Sequence, residues 1–141
     1  MNRAARLGLV VLAAAAGCAV QGAPFKKAAA PLGDATIYVY RPYHYEGSLL
    51  RPPVTCGDDT ARIGPGGYHA FVVPAGKTVC TVAGGETNDQ TAFDAEPRIY
   101  YIREEIGWGV LTGHPFLNPI DSDTAHDEIQ SCCVLENSPP S

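Results

Sequence analysis

Tyr68-His69-Ala70-Phe71-Val72-Val73-Pro74-Ala75-Gly76-Lys77-Thr78-Val79-Cys80-Thr81-Val82 carries the strongest fold signal in the chain. Two runs rich in β-branched and aromatic residues flank Pro-Ala-Gly-Lys, a turn signal, so the stretch predicts two strands joined as a hairpin. Upstream, Ala35 to Tyr40 puts Ile37 and Val39 on one face and Thr36, Tyr38 and Tyr40 on the other, a strand that Pro42 stops. Val54-Thr55-Cys56 and Thr60-Ala61-Arg62-Ile63 enclose a Gly57-Asp58-Asp59 turn, and Gly64-Pro65-Gly66-Gly67 punctuates the chain before Tyr68. Downstream, Thr91-Ala92-Phe93 and Arg98 to Glu104 read as strands. Gly107 to Leu111 reads as a continuation of the pairing beyond a bend, with Trp108 in or beside the core.

A single helix is expected. Asp121 or Ser122 can cap Asp123 to Ser131, with Ala125 and Ile129 four apart on one face. Cys132 to Leu135 then reads as a terminal strand. Short strands with one late helix make the fold mainly β, a small antiparallel β-sandwich with a short C-terminal helix. Composition agrees: 18% charged residues, 15 Gly and 12 Pro exclude a bundle of long surface helices. A net charge of −5 without a Lys/Arg run excludes a nucleic-acid partner.

The N-terminus carries an address. Arg3 and Arg6 precede the apolar Leu7 to Ala16, which has the charge and apolar order of an export signal and is too short to span a bilayer. Ala15-Ala16-Gly17-Cys18 resembles the lipobox of bacterial lipoproteins, with Ala15 where Leu is usual; ordinary secretory cleavage nearby is the alternative. The resemblance implies removal of residues 1–17 and acylation of Cys18, palmitate included, giving an anchor stronger than two lipid signals. Ala19 after Cys18 implies sorting to the outer membrane, facing the periplasm. Losing Arg3 and Arg6 makes the mature chain two units more negative than −5, so the domain is expected to stand off anionic headgroups. Residues 18–33 are the lipidated Cys and a flexible tether, 34–135 the sandwich, and 136–141 a disordered tail.

The Ala35 to Pro42 opening, Gly66-Gly67-Tyr68 leading into Phe71, the Pro74 to Lys77 turn, Tyr100-Tyr101-Ile102-Arg103 and the Ala125 to Ile129 helix together resemble the bacterial lipoprotein family DUF2846 over residues 34–135. That resemblance implies a transthyretin-like or PEGA-like sandwich behind a lipid anchor, with no enzyme activity attached. Cys56, Cys80, Cys132 and Cys133 have no counterpart in it.

In an exported chain these four cysteines favour two disulfides over a metal, with no CxxC present. Cys56–Cys80 is the simplest local bridge. Cys132 and Cys133 are expected to link to other strands, since bonding each other strains their shared peptide. His44, His69, His114 and His126 lack metal-ligand spacing, so no metal or other cofactor is expected. His69 with Asp59 and Ser48 is the rival hydrolytic arrangement, without a GxSxG elbow. Tyr38, Tyr40, Arg41, Tyr43, His44 and Tyr45 form the candidate partner-binding patch for an envelope protein or glycan; the alternative is that the alternate tyrosines cover a second sheet face. Arg98, Arg103 and Glu104 are read as cross-strand partners. The expected function is a lipid-anchored, non-catalytic binding or structural module. A metal-dependent or hydrolytic enzyme using His69 and nearby carboxylates is the alternative.

Overall fold

The computed structural model describes residues 20, 22–28, 31–84, 87–111 and 113–136. Cys18 and residues 137–141 lie outside them. Among these described residues nine strands and one helix succeed one another as β1 (Asp34–Arg41), β2 (Pro53–Cys56), β3 (Asp59–Arg62), β4 (Gly67–Pro74), β5 (Gly76–Val82), β6 (Asp89–Ala95), β7 (Ile99–Gly107), β8 (His114–Ile120), α1 (Ser122–Cys132) and β9 (Val134–Leu135). The protein is a mainly β sandwich of two sheets, ordered β8-β7-β1-β4-β9 and β3-β2-β5-β6. The first sheet is mixed, because β7 lies parallel to β1 and β9 parallel to β4.

The Tyr68 to Val82 stretch forms two strands but no hairpin. β4 pairs with β1, from Asp34↔Pro74 to Arg41↔Gly67, whereas β5 pairs with β2 and β6. The chain crosses between sheets at Ala75, and Gly76 takes a φ of +123° at the crossing. The local signal specifies a reversal without saying where the reversed strand lands. The tight hairpin is β2–β3, where Gly57 (φ +61°) followed by Asp58 with ordinary φ suits a II′-type turn; β5–β6 and β7–β8 are also antiparallel neighbours, joined by longer loops.

Ile37, Val39, Phe71, Val73 and Ile102 of the first sheet meet Val54, Ile63, Cys80 and Val82 in the core between the sheets. The opposite face of the first sheet is covered too. Tyr38, Tyr40, Tyr68 and Tyr101 pack there beneath Ala125 and Ile129 of α1. Asp121 caps that helix by accepting from the Thr124 N–H at 2.9 Å.

The segment read as a flexible tether is docked along this face. Val20 N–H donates to Pro65 O (3.0 Å), Leu135 N–H to Ala23 O (2.8 Å) and Ala28 N–H to the Tyr38 hydroxyl (2.8 Å). Phe25 supplies the reason, with its ring edge-on at 5.2 Å to both Tyr38 and Tyr68. An apolar ring beside an unfilled aromatic face outweighs the freedom of a Pro- and Ala-rich linker. Glu136, placed in the tail by the sequence, also belongs to the fold: its N–H donates to Tyr68 O and its carboxylate accepts from Gly64 N–H, both at 2.9 Å.

β8 is not apparent in the sequence because Pro115 and Pro119 interrupt it. As the edge strand beside β7 it tolerates them: the N–H of Leu117, between the two, points away from the ladder to Asp89 Oδ2 (2.8 Å), so the prolines remove no ladder donor. Gly107 to Leu111 does not extend the pairing. β7 ends at Gly107, and Trp108 stands 83% exposed beyond it.

Candidate functional site

Tyr38, Tyr40 and Arg41 are buried, so half of the candidate partner-binding patch is interior, whereas Tyr43, His44 and Tyr45 are exposed. The division comes from position. Alternation along β1 turns the two tyrosines under α1 and turns Arg41 toward the sheet-to-sheet core, while the chain beyond Pro42 leaves the sheet.

Arg41 organises the loop beyond β1. Its guanidinium donates to Gly47 O and Leu50 O, both at 2.6 Å, and to Ile63 O at 3.1 Å. A planar group with five donors can hold several carbonyls at once where a lysine ammonium, a point charge, cannot match the fork. The 42–52 loop is therefore fixed from beneath. Ile106 fixes it from the side: a Cβ at Gly47 would lie 2.5 Å from Ile106 Cγ2, and one at Gly113 would collide with the same methyl. Gly47 also has φ +69°, so glycine is required twice over.

On this base the 42–52 and 108–113 loops present Tyr45, Leu49, Trp108 and Val110, each more than four-fifths exposed. Tyr45, Leu50, Trp108 and Val110 line one shallow concavity. These exposed apolar side chains, set on neighbouring loops, make the tip the candidate contact surface. The sequence pointed to Tyr43 and Tyr45 but missed Leu49 and Val110, and placed Trp108 near the core. Gly flanking Trp108 on both sides was the available signal of a loop.

Glu104 lies beneath the same end. It is fully buried between Ile102 and Ile106 on the core face of β7, and neither carboxyl oxygen has a hydrogen-bond partner among the described residues. Neither it nor Arg103 is the cross-strand partner expected: Arg103 bonds Glu128 of α1 at 2.8 Å and lies 3.3 Å from Glu105 of its own strand. Burial pushes Glu104 from 4.5 up to about 8, against the opposing pull of the Arg41 charge. A raised carboxyl pKa favours the fold while the group is protonated there. The contribution is full below about 4.5 and lost as pH rises through about 8. Stability is expected to fall by about 1.4 kcal/mol per pH unit in that window from this group. Glu104→Gln should remove that slope; denaturant midpoints at stepped pH check it, and an unchanged slope refutes it.

A second polar cluster lies on the helix side. The Tyr40 hydroxyl donates to Glu128 Oε2 (2.6 Å), Glu128 also receives Arg103, and Glu105 accepts from the Asn118 amide and lies 3.3 Å from Arg103 Nε as an ion pair. Burial and the Glu128 bond both raise the Tyr40 hydroxyl pKa. These groups pair with one another and tie β1, β7 and β8 to α1, although Arg103 Nε itself has no hydrogen-bond partner among the described residues.

The sulfurs of Cys56 and Cys80 lie 2.07 Å apart across β2 and β5, where the two residues stand directly opposite. Cys132 and Cys133 bridge each other (2.01 Å) and not another strand. Their position explains it: Cys133 leaves α1 in extended conformation with its N–H still bonded to Ile129 O, and the strands bearing Cys56 and Cys80 belong to the other sheet.

His69 Nε2 and Asp59 Oδ2 are 2.9 Å apart, but no hydrogen bond joins Ser48 to them among the described residues. His44 is exposed in its loop, His114 bonds Thr87, and His126 packs near Phe25. No group of three or more His, Cys, Asp or Glu that could hold a metal occurs among the described residues. No described helix is long and apolar enough to cross a membrane.

The class defined by these features is a two-sheet sandwich with one C-terminal helix, a docked N-terminal segment and an apolar loop tip. No protein-family model, curated protein or solved structure matches the chain.

Proposed function

We propose that the chain is an envelope lipoprotein anchored through acylated Cys18, whose sandwich acts as a non-catalytic binding or structural module. The observation that carries this reading is the tip: Tyr45, Leu49, Trp108 and Val110 are held out on loops that Arg41 and Ile106 immobilise. Rigid aromatic and aliphatic groups on a braced base suit contact with a surface, because little side-chain or loop freedom is lost on binding. The charged side chains of the helix-side cluster are engaged with one another, which leaves no reactive pair aimed at a substrate there. The rival reading, a metal-dependent or hydrolytic enzyme using His69, draws on the Asp59–His69 contact.

The anchor is tested on the expressed full-length chain. Intact-mass analysis of the membrane fraction should find residues 1–17 absent and acyl chains on Cys18, and Cys18→Ala should leave the precursor unprocessed. A soluble, unlipidated product cleaved downstream refutes the reading. Retained hydrolytic activity that disappears with His69→Ala would favour the rival.

A further inference from the structure

We propose that the loop tip is seated in the headgroup region of the bilayer that holds the anchor, with Tyr45, Leu49, Trp108 and Val110 directed toward the acyl chains. The proposal rests on acylation of Cys18 and adds to it the occupant of the tip.

Val20 is tied to the fold by its N–H bond to Pro65 O at 3.0 Å, and its Cγ2 would lie within 3.0 Å of a Cβ at Gly64 or Gly67. Cys18 is two residues earlier, so the lipid-bearing residue is at most about 7 Å of extended chain from this docking point. The domain is thereby held against the membrane.

β1 ends at Arg41 opposite Gly67, where β4 begins, so the Gly64–Gly67 turn sits at the end of the sandwich from which the 42–52 loop departs. β7 runs parallel to β1 and ends at Gly107, which brings the 108–113 loop to that end as well. Anchor and apolar tip therefore share one end.

Trp and Tyr have amphipathic rings suited to the headgroup level, and Leu and Val add aliphatic depth. Residues 107–113 contain no charged side chain, and in 42–52 the two charges are Glu46 and Arg51, the latter paired with Glu136 at 3.2 Å. The 108–113 loop thus brings no carboxylate of its own to anionic headgroups.

Trp108 is the chain's one tryptophan, so its emission reports the tip alone. The full acylated chain is placed in phosphatidylethanolamine–phosphatidylglycerol vesicles, plain or with brominated acyl chains. Emission should shift to the blue in plain vesicles and be lost in brominated ones. Leu49→Glu combined with Val110→Glu changes exposed positions and should restore the emission while the protein still floats with the vesicles. Equal emission in both vesicle types from protein that floats overturns the tip proposal and leaves the anchor standing. Protein that does not float overturns both. Blue-shifted emission in native envelopes without quenching in brominated vesicles assigns the tip to a protein partner and also overturns the proposal.

Discussion

Arg41→Met is expected to cost about 3–5 kcal/mol of folding free energy, because three interior carbonyls lose a charged donor at once. Those of Gly47, Leu50 and Ile63 sit 2.6, 2.6 and 3.1 Å from the guanidinium, and the side chain is only 3% exposed, so water does not replace it in place. Met fills comparable volume, which separates loss of hydrogen bonding from loss of packing. The change also removes the positive charge that opposes the upward push on Glu104, so the pH window of that carboxyl should move further up. Arg41→Lys should fall between the wild type and Met, since it keeps the charge and loses the fork. Urea denaturation of all three, followed at stepped pH, decides the matter. A loss under about 1 kcal/mol for Met would mean that the loop is held by Ile106 alone.

Removing the Cys56–Cys80 bridge is the other large effect. The bond joins residues 24 apart in sequence, and closing a loop of that size contributes about 3–4 kcal/mol in the chain-entropy account. Both residues are fully buried and face each other across β2 and β5, with Cα atoms 4.2 Å apart, so the native pairing needs no rearrangement to accommodate the link. The Cys56→Ala, Cys80→Ala double variant should lower the denaturation midpoint accordingly. Cys132→Ser with Cys133→Ser should change it far less, because a bridge between neighbours constrains almost none of the unfolded chain. Non-reducing peptide mapping of exported protein gives the direct check: a Cys56 or Cys80 peptide joined to Cys132 or Cys133 excludes this pairing.

The strands built on regular alternation are legible from the residues, as is the helix, whose cap and apolar spacing are local properties. Pairing is not. Pro74 to Lys77 signals a reversal whether the next strand joins the same sheet or the facing one, and only the partners β1 and β2 distinguish the outcomes. β8 is hidden because its two prolines are penalised everywhere except on an edge, and edge status is a property of the whole sheet. At the tip, Tyr43 and Tyr45 are legible from unusual composition. Arg41 reads as a surface residue because a charged residue after a strand usually ends there; its inward turn depends on carbonyls up to 22 residues away. The docking of Phe25 likewise requires an aromatic face assembled from β1, β4 and α1.

The crossing at Ala75 and the parallel placement of β7 have a kinetic meaning. In the first sheet the central strand finds no neighbour nearby in the chain: Ile37 lines up with Phe71 on one side and Tyr100 on the other. Both contacts require large loops to close before any pairing repays the lost entropy, so folding belongs to the slow, high-contact-order regime. The strap from Val20 to Ala28 can seat only after β4, β9 and α1 have come together, which makes it a late event. For the exported lipoprotein proposed above, the N-terminal stretch would thus stay accessible to processing enzymes for as long as the sandwich is unfinished, and completion of the fold would close that interval.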